Sequence, residues 1–144
     1  MKRTFATVLV LLALGASAPG AQGLTGQEKQ ILPLIKANWL AFRNYSGRQF
    51  IYFTILLAYR CGLSEIRYSV NSDALDRTFP LPPCDPAQPQ ALDAAKYPPF
   101  VSLALGTARE VTVRVIFKDG SATDTVRFKP CGNAADGTCA AVAP

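Results

Sequence analysis

The chain has 144 residues, 15 of them basic and 10 acidic, with four cysteines and no histidine. That length holds one domain rather than two. Without imidazole there is no Ser-His-Asp or Cys-His nucleophile, no imidazole metal site and no ordinary proton shuttle.

Residues 1–20 read as a secretory signal. Lys2 and Arg3 lead, residues 5–14 are apolar, and Ala16-Ser17-Ala18 or Ala18-Pro19-Gly20 supplies small residues for cleavage. A membrane anchor needs about 20 apolar residues, so no transmembrane span is expected after cleavage. Without Lys2 and Arg3 the balance is 13 basic to 10 acidic residues, scattered rather than striped, which implies no nucleic-acid partner. The expected organisation is a signal at 1–20, an N-terminal helical segment at 21–47, a β-sandwich domain at 48–130, and a disulfide loop and tail at 131–144.

In the second segment Thr25 and Glu28 are spaced as a capping box, and Ile31, Ile35, Trp39 and Phe42 share one helical face. Pro33 is tolerated only in a first turn, so a helix is predicted over 32–42. Residues 43–48 read as a polar turn.

The most apolar run outside the N-terminus is residues 50–59. Its β-branched and aromatic composition favours a strand, with a buried helix as the second reading. After Gly62, Ile66, Tyr68 and Val70 alternate with Glu65, Arg67 and Ser69, the pattern of a half-exposed strand. Two strands turning near Cys61-Gly62-Leu63 are therefore expected.

A turn centred on Ser72-Asp73 makes antiparallel partners sum to 145. Ile66 then faces Phe79, Arg67 faces Thr78 and Val70 faces Leu75. The same sum sets Cys61 opposite Cys84, within disulfide reach. Pro80, Pro82 and Pro83 place the returning strand at a sheet edge.

Residues 85–99 read as an exposed excursion with one helical turn at 91–96. A strand follows at 100–105. Residues 109–118 and 121–129 form a hairpin about Asp119-Gly120, with partners summing to 239. Val111 then meets Phe128, Thr112 meets Arg127, Val113 meets Val126, Glu110 meets Lys129 and Phe117 meets Ala122. Asp124 opposite Val115 is the one misfit.

Cys131 and Cys139 enclose a short turn-rich loop and are expected to pair locally. An even count of four cysteines, all beyond the signal, fits two disulfides in an oxidising compartment. The spacing lacks the paired CxxC of a zinc ribbon or a redox thiol. Asn133 and Asp136 offer far fewer ligands than calcium takes.

Two stretches carry a family resemblance. Residues 63–73, LSEIRYSVNSD, are similar to the I-x-Y-S-x-D-G strand and turn of bacterial secreted immunoglobulin-like or fibronectin type III-like domains. Residues 106–128 are similar to their closing hairpin, in which a glycine precedes V-x-V-x-V and an Asp-Gly turn. The sequence departs from that pattern in having Asn71-Ser72 in place of Asp-Gly, and in the proline-rich insertion. The resemblance implies an antiparallel immunoglobulin-like β-sandwich. Such domains act as binding or spacer modules, but a fold does not establish function.

The expected molecule is thus a mainly β, periplasmic or secreted domain with one N-terminal helix and the disulfides Cys61–Cys84 and Cys131–Cys139. No catalytic, cofactor or metal residues are implied. The leading expectation is a non-catalytic module for a protein or cell-envelope partner, with Arg60, Arg67 and Tyr97 as candidate contacts. Of the remaining aromatic residues, Trp39, Tyr52 and Tyr68 are expected to pack inside. The competing class is a small carboxylate-dependent hydrolase or inhibitor-like effector using Asp85 and Asp93. A structural subunit pairing edge to edge is disfavoured by the prolines after Phe79.

Overall fold

The computed structural model describes residues 26–131 and 139–143; the signal expected at 1–20 and the calcium ligands weighed at Asn133 and Asp136 lie outside them. The chain is mainly β, with two antiparallel sheets of three and five strands and few helical turns.

Helix α1 spans Glu28–Leu34, with Glu28 and Leu32 on its buried side. The helix predicted over 32–42 is therefore displaced, and Phe42 belongs to a strand. Pro33 sits in the last turn of α1, where the helix has almost run its length. The carbonyl of Leu32, in the last turn, accepts the indole N–H of buried Trp39 at 2.9 Å beside the Ile35 amide at 3.2 Å. A 3-10 turn at Lys36–Asn38 then redirects the chain.

Strands β1 (Ala41–Tyr45) and β2 (Arg48–Tyr52) form a hairpin. Ser46 and Gly47 both have positive φ, 49° and 73°, the two-residue geometry whose twist matches the flanking strands. The boundary expected at 47/48 thus falls inside a hairpin turn.

The apolar run expected as one strand divides. Its first part is β2; its second is helix α2, Thr54–Ala58, continued by a 3-10 turn at Arg60–Gly62. Phe53, Leu56, Leu57, Arg60 and Cys61 are all buried, a helical period, while Thr54 and Ile55 are exposed.

Strand β3 (Leu63–Val70) pairs with β4 (Arg77–Phe79) at the predicted sum, Ile66 facing Phe79 and Arg67 facing Thr78. The turn is wider than expected: the pairing ends at Tyr68–Arg77, and Val70 does not meet Leu75. Asn71 donates to the Thr107 carbonyl and accepts the amides of Arg109 and Glu110, so its side chain binds the segment at 107–110 instead of closing the turn. Strand β4 lies at the edge of the large sheet, as its prolines imply. The Cys61–Cys84 disulfide forms, with Cα atoms 5.0 Å apart.

Strand β5 (Phe100–Ala104) pairs with β2, completing the small sheet in the order β1-β2-β5. Strands β6 (Val111–Phe117) and β7 (Val126–Lys129) keep the predicted pairs Val111–Phe128, Thr112–Arg127 and Val113–Val126. Nearer the turn the register slips by one, so Ala122 bridges Ile116 rather than Phe117. Thr123 now faces Val115, exchanging bonds through its amide and hydroxyl, and Asp124 moves out to solvent. The misfit of Asp124 is removed by this shift.

The Cys131–Cys139 disulfide also forms, with Cα atoms 5.8 Å apart. Strand β8 (Ala141–Val142) adds to β7, so the tail belongs to the large sheet, ordered β4-β3-β6-β7-β8. Just before it, Cys139 exchanges both backbone bonds with Phe42 of β1, which ties the two sheets at one corner.

The two sheets and α2 share one core. Trp39, Phe42, Ile51, Phe53, Leu56, Ile66, Val113 and Phe128 are essentially inaccessible. Phe53 stacks on Phe79 at 4.2 Å, linking α2 to the large sheet. From β2, the buried Gln49 amide spans the core edge, donating to and accepting from the backbone of Ala108 at 3.0 and 2.8 Å.

Candidate functional site

Side chains alternate across a strand, so one face of the small sheet turns outward as three cross-strand rows. By register these are Ala41–Tyr52–Phe100, Arg43–Phe50–Ser102 and Tyr45–Arg48–Ala104. All nine are exposed or half-exposed. Four are aromatic, two are arginines and none is acidic.

Phe50, Tyr52 and Phe100 pack on one another with ring centroids 5.2 to 6.2 Å apart. The Arg43 guanidinium lies 4.9 Å above the ring of Tyr45, which is 61% exposed. Arg48 donates through Nε to the Ser102 hydroxyl and through Nη2 to the Ser102 carbonyl at 3.3 Å. Beside Tyr52 the face continues into a shallow recess of about 200 Å³, walled by Ala41, Thr54 and Ile55. Rigid aromatic surface rimmed by arginine is the composition favoured at recognition surfaces.

A larger groove, about 810 Å³, runs between α1 and the β6–β7 crossing, lined by Lys29, Lys36, Trp39 and Arg127. Its charges are largely satisfied from within. Lys29 pairs with Asp119 at 2.9 Å, and Arg127 makes a bidentate pair with Asp73. Hydrogen bonds from Ser121 and Lys29 hold the Asp119 carboxyl far below the usual range. Hydrogen bonds from Arg127, and then Thr112, lower the Asp73 carboxyl as well.

The three contact residues expected from sequence are not brought together. Arg60 is a correction: it is 4% exposed, and its guanidinium donates to the carbonyls of Leu57, Pro83, Pro89 and Ala91. Its position on the buried stripe of α2 explains this, and it anchors the excursion at 85–99 to the core. Arg67 is exposed on β3 but paired with Glu65 at 2.9 Å, which holds Glu65 below its ordinary value. Tyr97 is half-buried, with the Lys96 ammonium 5.3 Å from its ring. Tyr68 and Trp39 pack inside as expected, whereas Tyr52 is only half-buried and faces outward.

Asp85 and Asp93 serve their own turns. Asp85 accepts the amide of Ala87 at 2.9 Å, and Asp93 accepts those of Ala95 and Lys96 at 3.1 and 3.2 Å. Among the described residues, no three His, Cys, Asp or Glu side chains are grouped to hold a metal ion, and no helix is long and apolar enough to cross a membrane.

Arg43, Arg48, Phe50 and Phe100 were not singled out by sequence reasoning. The one local signal was Ser46-Gly47, a turn dipeptide; the alternation of β2 shows only in its burial, since Arg48 and Gln49 are both polar and Phe50, Ile51 and Tyr52 all apolar. The turn falls within the polar turn read at 43–48, but taking residues 50–59 as one element hides the strand that follows it. Comparison with protein-family models, with curated proteins and with solved structures finds no match.

Proposed function

We propose that this protein is a non-catalytic, exported binding module with an immunoglobulin-like arrangement of its sheets. It engages a protein or cell-envelope component through the outer face of β1, β2 and β5. One observation carries this reading: on that face four aromatic side chains and two arginines stand exposed or half-exposed, with no carboxylate among the nine residues. Two disulfides and paired antiparallel sheets support a rigid scaffold for an exported setting.

The test is capture from a cell-envelope extract on immobilised oxidised protein, wild type against Arg43→Ser/Phe50→Thr. A stoichiometric component held by wild type and lost from the variant is the expected result. Equal retention by both proteins would remove the face from the function.

A further inference from the structure

We propose that the edge of β5, uncovered among the described residues, takes up an added β-strand from a partner protein. The strand would be an extended segment with a carboxylate at the residue facing Ser102. This rests on the reading of the small-sheet face given above and names the kind of partner that the face receives.

The edge follows from the hydrogen-bond pattern. The Phe53 amide donates to the Pro99 carbonyl at 2.8 Å, and this pair has the same residue sum as the β2–β5 register. Hydrogen-bonded pairs alternate along an antiparallel ladder, so Val101 and Leu103 turn their backbone groups toward β2. Phe100, Ser102 and Ala104 turn theirs away. The Ala104 carbonyl accepts the Thr107 amide at 3.1 Å; among the described residues no backbone partner meets the others.

Among the described residues four strands lie at sheet edges, β1, β5, β4 and β8, and of these β4 and β5 differ in their defences. Strand β4 has three residues and runs into Pro80, Pro82 and Pro83. Strand β5, Phe-Val-Ser-Leu-Ala, has five residues without proline or charge, and Leu105 beyond it is 56% exposed. Unguarded edges of this kind pair with added strands.

What sits over the middle of the edge is Arg48, bonded to the Ser102 hydroxyl and carbonyl. A second copy pairing antiparallel about Ser102 would bring two Arg48 guanidiniums together, a like-charge contact. An incoming carboxylate instead meets a fork of donors suited to it. Neighbours on the same side of the added strand would face Phe100 and favour an aromatic or β-branched residue. Those on the other side would lie beside Val101 and Leu103, which are packed against the core, and favour valine or isoleucine.

The probe is a fluorescent peptide carrying Thr-Val-Glu-Val-Phe, followed by anisotropy, with a Lys-for-Glu peptide as its counterpart. Wild type is expected to bind the Glu peptide saturably and the Lys peptide at least roughly tenfold more weakly, the scale of a truncated charge pair. Arg48→Glu should reverse that preference. Ser102→Pro should abolish binding while the protein stays folded by circular dichroism, because the Ser102 amide points away from β2.

No binding by wild type, equal binding of both peptides, or unchanged binding by Ser102→Pro would overturn the proposal. So would a wild-type dimer in sedimentation that Ser102→Pro dissolves, which would assign the edge to a second copy. If Arg43→Ser/Phe50→Thr loses envelope capture while Ser102→Pro keeps it, the face reading stands and the edge proposal fails.

Discussion

At the residue scale the buried polar groups hold the scaffold behind the face. Arg60 has four carbonyl partners and no carboxylate, so Arg60→Ala removes the donor from one buried and three part-buried carbonyls. Buried unpaired polar groups cost about 1–3 kcal/mol, so a loss of roughly 3 kcal/mol in urea denaturation is expected. Arg60→Lys should recover little, since a compact ammonium cannot replace the guanidinium fork. Gly62 is constrained by contact: a Cβ there would lie 2.4 Å from the Glu28 carboxyl carbon. Gly62→Ala should therefore cost about 1–2 kcal/mol, the scale of an overpacked site. Glu28→Ala in the same chain should remove most of that cost, and a double-mutant cycle measures the coupling. Additive effects would show that the two residues do not meet.

At the element scale, legibility followed the period of each segment. The β6–β7 pairs were readable because Val111, Val113, Val126 and Phe128 alternate with polar residues, and a one-residue slip would bury Arg127. The β3–β4 sum of 145 held for three pairs and set Cys61 against Cys84, although the turn between them is wider. The helix α2, only the second reading of its run, ranks below a strand because β-branched and aromatic residues conceal its period; the spacing Phe53, Leu56, Leu57, Arg60, Cys61 reveals it. Arg60 in that stripe reads as polar and exposed until its carbonyl partners, distant in sequence, are known. The small-sheet face was illegible for a related reason, since its rows join residues from three strands that no local pattern links. The disulfides give an element-scale prediction. The chain-entropy relation assigns about 3.5 kcal/mol to Cys61–Cys84 and about 2.5 kcal/mol to Cys131–Cys139, from separations of 23 and 8 residues. Replacing each pair by serine and comparing urea midpoints checks this. A larger loss from the second pair would show that its hold on Phe42 outweighs loop entropy.

At the scale of the whole molecule, the absence of histidine and the four paired cysteines leave little to titrate near neutrality. Stability should be nearly flat between about pH 5 and 7.5. Below that the sign is set by carboxyls whose folded pKa is lowered: Glu65 by Arg67, Asp73 by Arg127, and Asp119 by Ser121 and Lys29. Their contribution is present above the unfolded carboxyl pKa of about 4 and is lost as pH falls through the folded values. Urea midpoints against pH should therefore hold level and then drop below about pH 4, and Asp73→Asn should flatten part of that drop. A fall already between pH 7 and 5.5 would point to a titrating group not accounted for here.

Two surfaces among the described residues make opposite demands on recognition. The groove beside α1 satisfies most of its charges internally, whereas the small-sheet face presents arginines and aromatic rings with no acid among them. The central claim is that the face, and not the groove, does the binding. The most direct measurement is side-by-side capture from one envelope extract by wild type, Arg43→Ser/Phe50→Thr and the groove variant Lys36→Glu/Asp124→Lys. Loss of roughly tenfold or more in the face variant, as expected for truncating central aromatic and arginine contacts, with wild-type capture by the groove variant, is the predicted result. Loss in the groove variant with capture intact in the face variant would contradict it.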